Sequence, residues 1–158
     1  MELILWRHAE AEPGEPDAAR ILTPKGHKQA ARMAEWLDAS LPNTCRILAS
    51  PTARTVQTAQ ALGRKFKIID SLGPHCTVDD VLQAANWPDA HEPVLIVGHQ
   101  PTLGQLAAQL IGGRQQDWTI RKGNVWWIAR RDPAGAGVLP GSTANYLRAV
   151  MSPDLMRR

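Results

Sequence analysis

"PVLIVGHQP", residues 93–101, contains the clearest buried strand of the chain. Val94 to Val97 form an apolar, largely β-branched run that is too short for a helix. Gly98 and His99 follow it, and Pro101 starts a helix expected to run to about Ile111. "LILWRHAEAE", residues 3–12, has the same form: a strand over Glu2 to Trp6, then an abrupt turn to polar residues at Arg7 and His8.

Working outward, strand, turn and helix recur. Thr23-Pro24 opens a helix to Leu41, with Thr as cap and Pro at the first helical position. Ala30, Met33, Ala34, Leu37 and Leu41 give it an apolar stripe at helical spacing. Arg46 to Ala49 reads as a strand. Ser50-Pro51 repeats the cap-plus-proline signal for a helix to about Arg64. Phe66 to Ile69 reads as a strand and Val78 to Ala85 as a short helix. Val125 to Ala129 and Tyr146 to Val150 are the final strands, separated by the breaker-rich loop "RDPAGAGVLPGS". The expected fold is a three-layer α/β/α sandwich, a mostly parallel central sheet with helices on both faces.

The 158 residues suffice for one domain with a substantial core. A content of 44% hydrophobic and 21% charged residues is that of a soluble globular protein. The net charge of +3 is mild, the basic residues are scattered in sequence and no aromatic ladder accompanies them, so no nucleic-acid partner is expected. Cys45 and Cys76 belong to no CxxC, which argues against a disulfide framework and a zinc site and fits a reducing, cytoplasmic setting. Leu3 to Trp6 is too short for a signal peptide, and no apolar run approaches the roughly 20 residues of a membrane span.

The fold class carries the function with it. Right-handed crossovers put the C-terminal ends of parallel strands on one rim of the sheet. Arg7 and His8, Ser50, Pro51 and Arg54, and Gly98 and His99 all follow such ends. Helix N-termini and arginine forks favour phosphate-like anions. A neutral imidazole beside a clamped phosphate is a competent nucleophile. Two histidines with clamping arginines and no metal motif suit phosphoryl transfer through a phosphohistidine intermediate.

"LWRHAEAE", "SPTARTVQTA" and "VGHQP" resemble, in order, the three signatures of the histidine phosphatase superfamily, the phosphoglycerate mutase-like fold. "RILTPKG", the short chain and the closing "MSP" are similar in particular to the small bacterial phosphohistidine phosphatases of the SixA type. The resemblance runs over nearly the whole chain and implies a single histidine phosphatase domain, residues 1–158, without a lid insertion. It implies that His8 accepts the phosphoryl group, that Arg7 and Arg54 clamp its oxygens, and that His99 stabilises the developing charge. It further implies that Arg20, just before "LTPKG", contacts the phosphate. The implied partner is a phosphohistidine-bearing protein, a phosphotransfer domain or a phosphotransferase-system component. No cofactor or metal is implied, and the small relatives suggest a monomer.

Two departures bear on the chemistry. The family usually reads Arg-His-Gly, whereas Ala9 follows His8; were a positive φ needed there, alanine would cost about 1 kcal/mol. Relatives acting on phosphate esters place a general acid after the third strand, but "DSLGPHCTVDD" offers only Asp70, Asp79 and Asp80, none matching by motif. A phosphoramidate needs less help, because its imidazole can leave carrying its own proton. The alternatives are a phosphatase of small monoesters using an aspartate near residue 80, and a phosphoprotein-binding module without turnover. Structural duties are expected for Ser50 (helix cap), Cys45 (small buried residue), His27 (exposed helix face), and His75 and His91 (loops). Of Trp126 and Trp127, one is expected in the core and the other partly exposed. Lys122 is expected in a solvated turn, with a substrate contact as the other reading.

Overall fold

The computed structural model describes residues 1–131 and 144–156; the loop expected after Arg131 therefore lies outside the described residues, as do Arg157 and Arg158. Among the described residues the strands and α-helices follow in the order β1 (Glu2–Arg7), α1 (Pro24–Ser40), β2 (Arg46–Ala49), α2 (Ala53–Gln60), β3 (Lys67–Ile68), α3 (Val78–Ala84), β4 (Val94–Gly98), α4 (Thr102–Gly112), β5 (Val125–Arg130) and β6 (Asn145–Met151). The sheet order is β3-β2-β4-β1-β5-β6. The first four strands are parallel, β5 runs against β1, and β6 runs against β5. This is the mostly parallel sheet expected from the sequence.

Both faces are covered, and the period-2 alternation of β1 shows how. Leu3 and Leu5 pack with Val78 and Val81 of α3 and Leu103 and Leu106 of α4. Ile4 and Trp6 pack with Met33 and Leu37 of α1 and Ala59 of α2. Leu3 through Trp6 are completely buried, which is why an unbroken apolar run rather than an alternating one marks this strand. No helix of the described residues is long and apolar enough to cross a membrane.

Three short differences from the sequence reading have physical causes. The cap of α2 is Thr52, whose hydroxyl accepts from the Thr55 N–H, and not Ser50; the Ser50 hydroxyl is instead hydrogen-bonded to His99. The helix also ends at Gln60 rather than Arg64. Gly63, at φ +71°, reverses the chain, and the Arg64 guanidinium donates to the carbonyls of Asp38, Leu41 and Pro42, satisfying the C-terminal end of α1. Cys45 is half-buried rather than buried, because it precedes β2 instead of entering it. Trp127 is in the core and Trp126 half-buried, as alternation requires.

Gly26 matters for the site. A Cβ there would stand 2.0 Å from the Glu10 carbonyl oxygen, so only glycine lets the first turn of α1 press against the segment leaving His8. Thr23, the cap of α1, accepts from the Gly26 N–H and donates to the Glu10 carboxylate, tying the same two segments together.

Candidate active site

β4 is inserted between β1 and β2, with Arg7 opposite Gly98 and Ala49 opposite Val97. Residues 8, 99 and 50 therefore leave three neighbouring strands at one level. The rings of His8 and His99 come within 5.3 Å, centroid to centroid, tilted by 56°. Positions 91 apart in sequence thus share one wall.

His8 is held on every side. Its N–H donates to the Gly98 carbonyl, its carbonyl accepts from the Gly123 N–H, and the next N–H, of Ala9, donates to the Thr58 hydroxyl. The ring Nδ1 lies 2.8 Å from the Ala9 carbonyl oxygen. A carbonyl can only accept, so Nδ1 carries the proton and the Nε2 lone pair is free. Asn86 is the one non-glycine residue at positive φ among the described residues, so Ala9 occupies its place without backbone strain.

The histidines are neutral at pH 7. Burial, with further help from Arg54, Arg7 and Lys122, pushes the His8 imidazole down from 6.5 to about 4. Burial, the facing His8 and Arg54 bring His99 to about 3. His99 Nε2 lies 2.7 Å from the Ser50 hydroxyl.

Arg7 and Arg54 stand beside the two imidazoles, and Arg20 joins Arg54 through Asp17. Arg54, 5% exposed, donates to the Asp17 carbonyl at 2.9 Å and to its carboxylate at 3.0 Å. Arg20 donates to the same carboxylate at 3.0 Å and to the Glu12 carbonyl at 2.7 Å. Arg7 donates to the Ile120 carbonyl. The Nε–H groups of Arg7 and Arg54 are buried with no protein acceptor. An unsatisfied buried donor costs about 1–3 kcal/mol, so the fold holds these two guanidinium groups in place at a loss of stability.

Asp17 escaped the sequence reading. It lies on a short 3-10 turn, Asp17–Ala19, and joins Arg20 to Arg54, 37 positions away. Hydrogen bonds from Arg20 and Arg54 hold its carboxyl below the usual range, so it is ionised at neutral pH. Its spacing from Arg20 (i, i+3) is visible in "DAAR", but its link to Arg54 exists only in the fold. Asp79 is exposed on α3, Asp80 accepts from the Thr77 N–H in the capping box of that helix, and Asp70 begins a separate turn, Asp70–Leu72. His27, His75 and His91 are exposed.

The burial of two neutral imidazoles predicts acid sensitivity. Below pH 6.5 the unfolded chain takes up protons that folded His8 refuses until about pH 4, so stability present above pH 6.5 is lost as the pH falls through that window. For His8 this amounts to on the order of 3 kcal/mol. Thermal midpoints should drop from pH 7 to pH 4.5 and drop less in His8→Asn. Equal slopes for the two proteins would show that His8 is not the group responsible.

Residues 3–75 match the family model of the histidine phosphatase superfamily, branch 1. The phosphohistidine phosphatase SixA homolog of Haemophilus influenzae is 33% identical over 131 residues, which cover 72% of this chain and 79% of that protein. The chain belongs to the histidine phosphatase superfamily. Phosphohistidine phosphatase SixA of Escherichia coli is 30% identical over 123 residues, covering 72% of this chain and 76% of its own. A structure of the protein histidine phosphatase SixA complexed with tungstate superposes with a TM-score of 0.76 at 26% identity, over 99% of this chain and 100% of that one. The fold is the phosphoglycerate mutase-like α/β fold of these SixA structures.

Proposed function

We propose that this phosphatase is a protein phosphohistidine phosphatase that works through a covalent phosphohistidine on His8 and without a metal ion. The observation that carries the reading is the bond from His8 Nδ1 to the Ala9 carbonyl, which leaves Nε2 with a free lone pair in a cationic cup. The similarity to the SixA proteins supports the same substrate class.

In the first step the Nε2 lone pair attacks phosphorus, and the P–N bond to the substrate imidazole breaks. With its second ring nitrogen protonated, that imidazole leaves neutral. In the second step water attacks phosphorus, the P–Nε2 bond breaks, and both water protons stay on the phosphate, which leaves as dihydrogen phosphate. His8 keeps its Nδ1 proton throughout and departs as neutral imidazole. The forks of Arg7, Arg54 and Arg20 hold the equatorial oxygens. Their charge does the work that a divalent cation would otherwise do. His99 Nε2 is hydrogen-bonded to the Ser50 hydroxyl; with Ser50 as the donor, the proton of His99 sits on Nδ1, where it can stabilise the oxyanion.

The carboxylates support a leaving group that needs no external acid. Asp17, the acidic residue bound to the cup arginines, is ionised, and Asp80 is engaged in a helix cap. Between β3 and β4 stand only the Asp70–Leu72 turn and α3, which favours a single domain with an uncovered site that a folded protein can approach.

The test is a comparison of two substrates. General acids contribute about 100- to 10,000-fold, so kcat/KM on a phosphohistidine-bearing protein should exceed that on an alkyl phosphate by at least about 100-fold. Comparable turnover of alkyl esters would instead select a monoester phosphatase. Phosphate-dependent binding without turnover would make the chain a phosphoprotein-binding module.

A further inference from the structure

The cations that look scattered in sequence are gathered by the fold. A cleft of about 670 Å³ between α1, the 121–124 turn and the 152–154 segment is lined by Arg7, Lys25, Lys28, Arg32, Arg121 and Lys122. Lys25, Lys28 and Arg32 recur at i, i+3 and i+7 and so share one face of α1. Asp154 is the acidic residue of the lining, and the Ser152 hydroxyl donates to it. Lys25, Lys28, Arg32, Arg121 and Lys122 are exposed, and none is ion-paired with a carboxylate among the described residues.

Two further features mark this cleft. The first turn of α1 carries Lys25 and no acidic residue of its own, the Glu10 carboxylate on the Thr23 cap being the anion at that helix end. The cleft also borders the cup: Arg7 lines it, and Lys122, on its wall, helps to depress the His8 imidazole.

We propose that this cleft receives acidic side chains of the phosphorylated protein, so that carboxylates flanking the phosphohistidine select the substrate. The inference rests on the phosphohistidine reading above and deepens it. The volume far exceeds one phosphoryl group. Lysines on flexible stems accommodate carboxylates at varied positions better than a fixed fork does. No aromatic side chain lines the cleft to stack a nucleobase, which argues for an acidic protein surface over a single-stranded nucleic acid.

The experiment uses peptides carrying a phosphonate triazolylalanine, a hydrolysis-resistant phosphohistidine mimic, flanked by glutamates, glutamines or lysines. Wild-type protein should bind the glutamate-flanked peptide about tenfold more tightly than the glutamine-flanked one at low salt, with the gap closing as salt rises. Lys25→Glu/Lys28→Glu/Arg32→Glu should erase or invert that preference while leaving hydrolysis of phosphoramidate, a substrate too small to reach the cleft, unchanged. Lys28→Gln/Arg32→Gln gives the same direction at smaller amplitude and keeps the test if the triple variant unfolds. Equal affinity for the glutamate and glutamine peptides, an unaltered preference after charge reversal, or tighter binding of an oligonucleotide than of the glutamate peptide overturns the proposal. If true phosphohistidine peptides are not hydrolysed yet the mimics still bind by flanking charge, the catalytic reading fails and the cleft stands.

Discussion

His8→Ala should lower kcat on a phosphohistidine protein by at least about 10,000-fold, the scale seen when a covalent nucleophile is removed. The size follows from the division of labour in the cup. In the proposed mechanism the arginines and His99 hold the phosphoryl group and the Nε2 of His8 accepts it. Oxyanion binding should survive, since Arg7, Arg54 and Arg20 remain; tungstate should still raise the thermal midpoint of the variant. His8→Asn keeps a polar side chain in the same space and should be as inactive as alanine, which separates lost chemistry from lost packing. A variant retaining more than about one-hundredth of wild-type turnover would move the nucleophile elsewhere.

Arg54→Ala should cost about 100- to 1000-fold in kcat/KM, comparable to removing a principal electrostatic contact of a transition state. Arg54 is buried, sits in the first turn of α2, and stands close enough to His8 and His99 to help lower both imidazoles. Its removal also frees one side of the Asp17 carboxylate, which Arg20 alone would then hold. The loss therefore combines a missing clamp with an anion left beside the cup. Arg54→Lys should recover only a small part, because a point charge cannot replace a planar fork bonded to Asp17 and phosphate at once. Steady-state kinetics with Arg54→Ala, Arg54→Lys and Arg54→Ala/Asp17→Asn separate the two contributions: the double variant should be more active than Arg54→Ala. Equal activities would show that Asp17 does not oppose the anion.

What could be read from the sequence was what local rules decide. Val94 to Val97 and Leu3 to Trp6 are buried on both faces, so their apolar runs are continuous and unmistakable. Thr23-Pro24 truly caps α1. Once those strands are parallel neighbours, His8, Arg54 and His99 must meet at one rim, and they do. Ser50-Pro51 looked like the same cap signal, but the tertiary bond from Ser50 to His99 outcompeted it and passed the cap to Thr52. Asp17 and the basic cleft were illegible for a related reason. Their meaning lies in pairs of distant segments, Asp17 with Arg54 and α1 with the 121–124 turn, which no spacing rule connects.

The most direct measurement is rapid-quench labelling. The protein is mixed with a phosphohistidine protein carrying radioactive phosphate, stopped in alkali within the first turnover, and digested. Base-stable, acid-labile label on the peptide containing residue 8 is the predicted result. Full turnover with no base-stable label on that peptide would contradict the account.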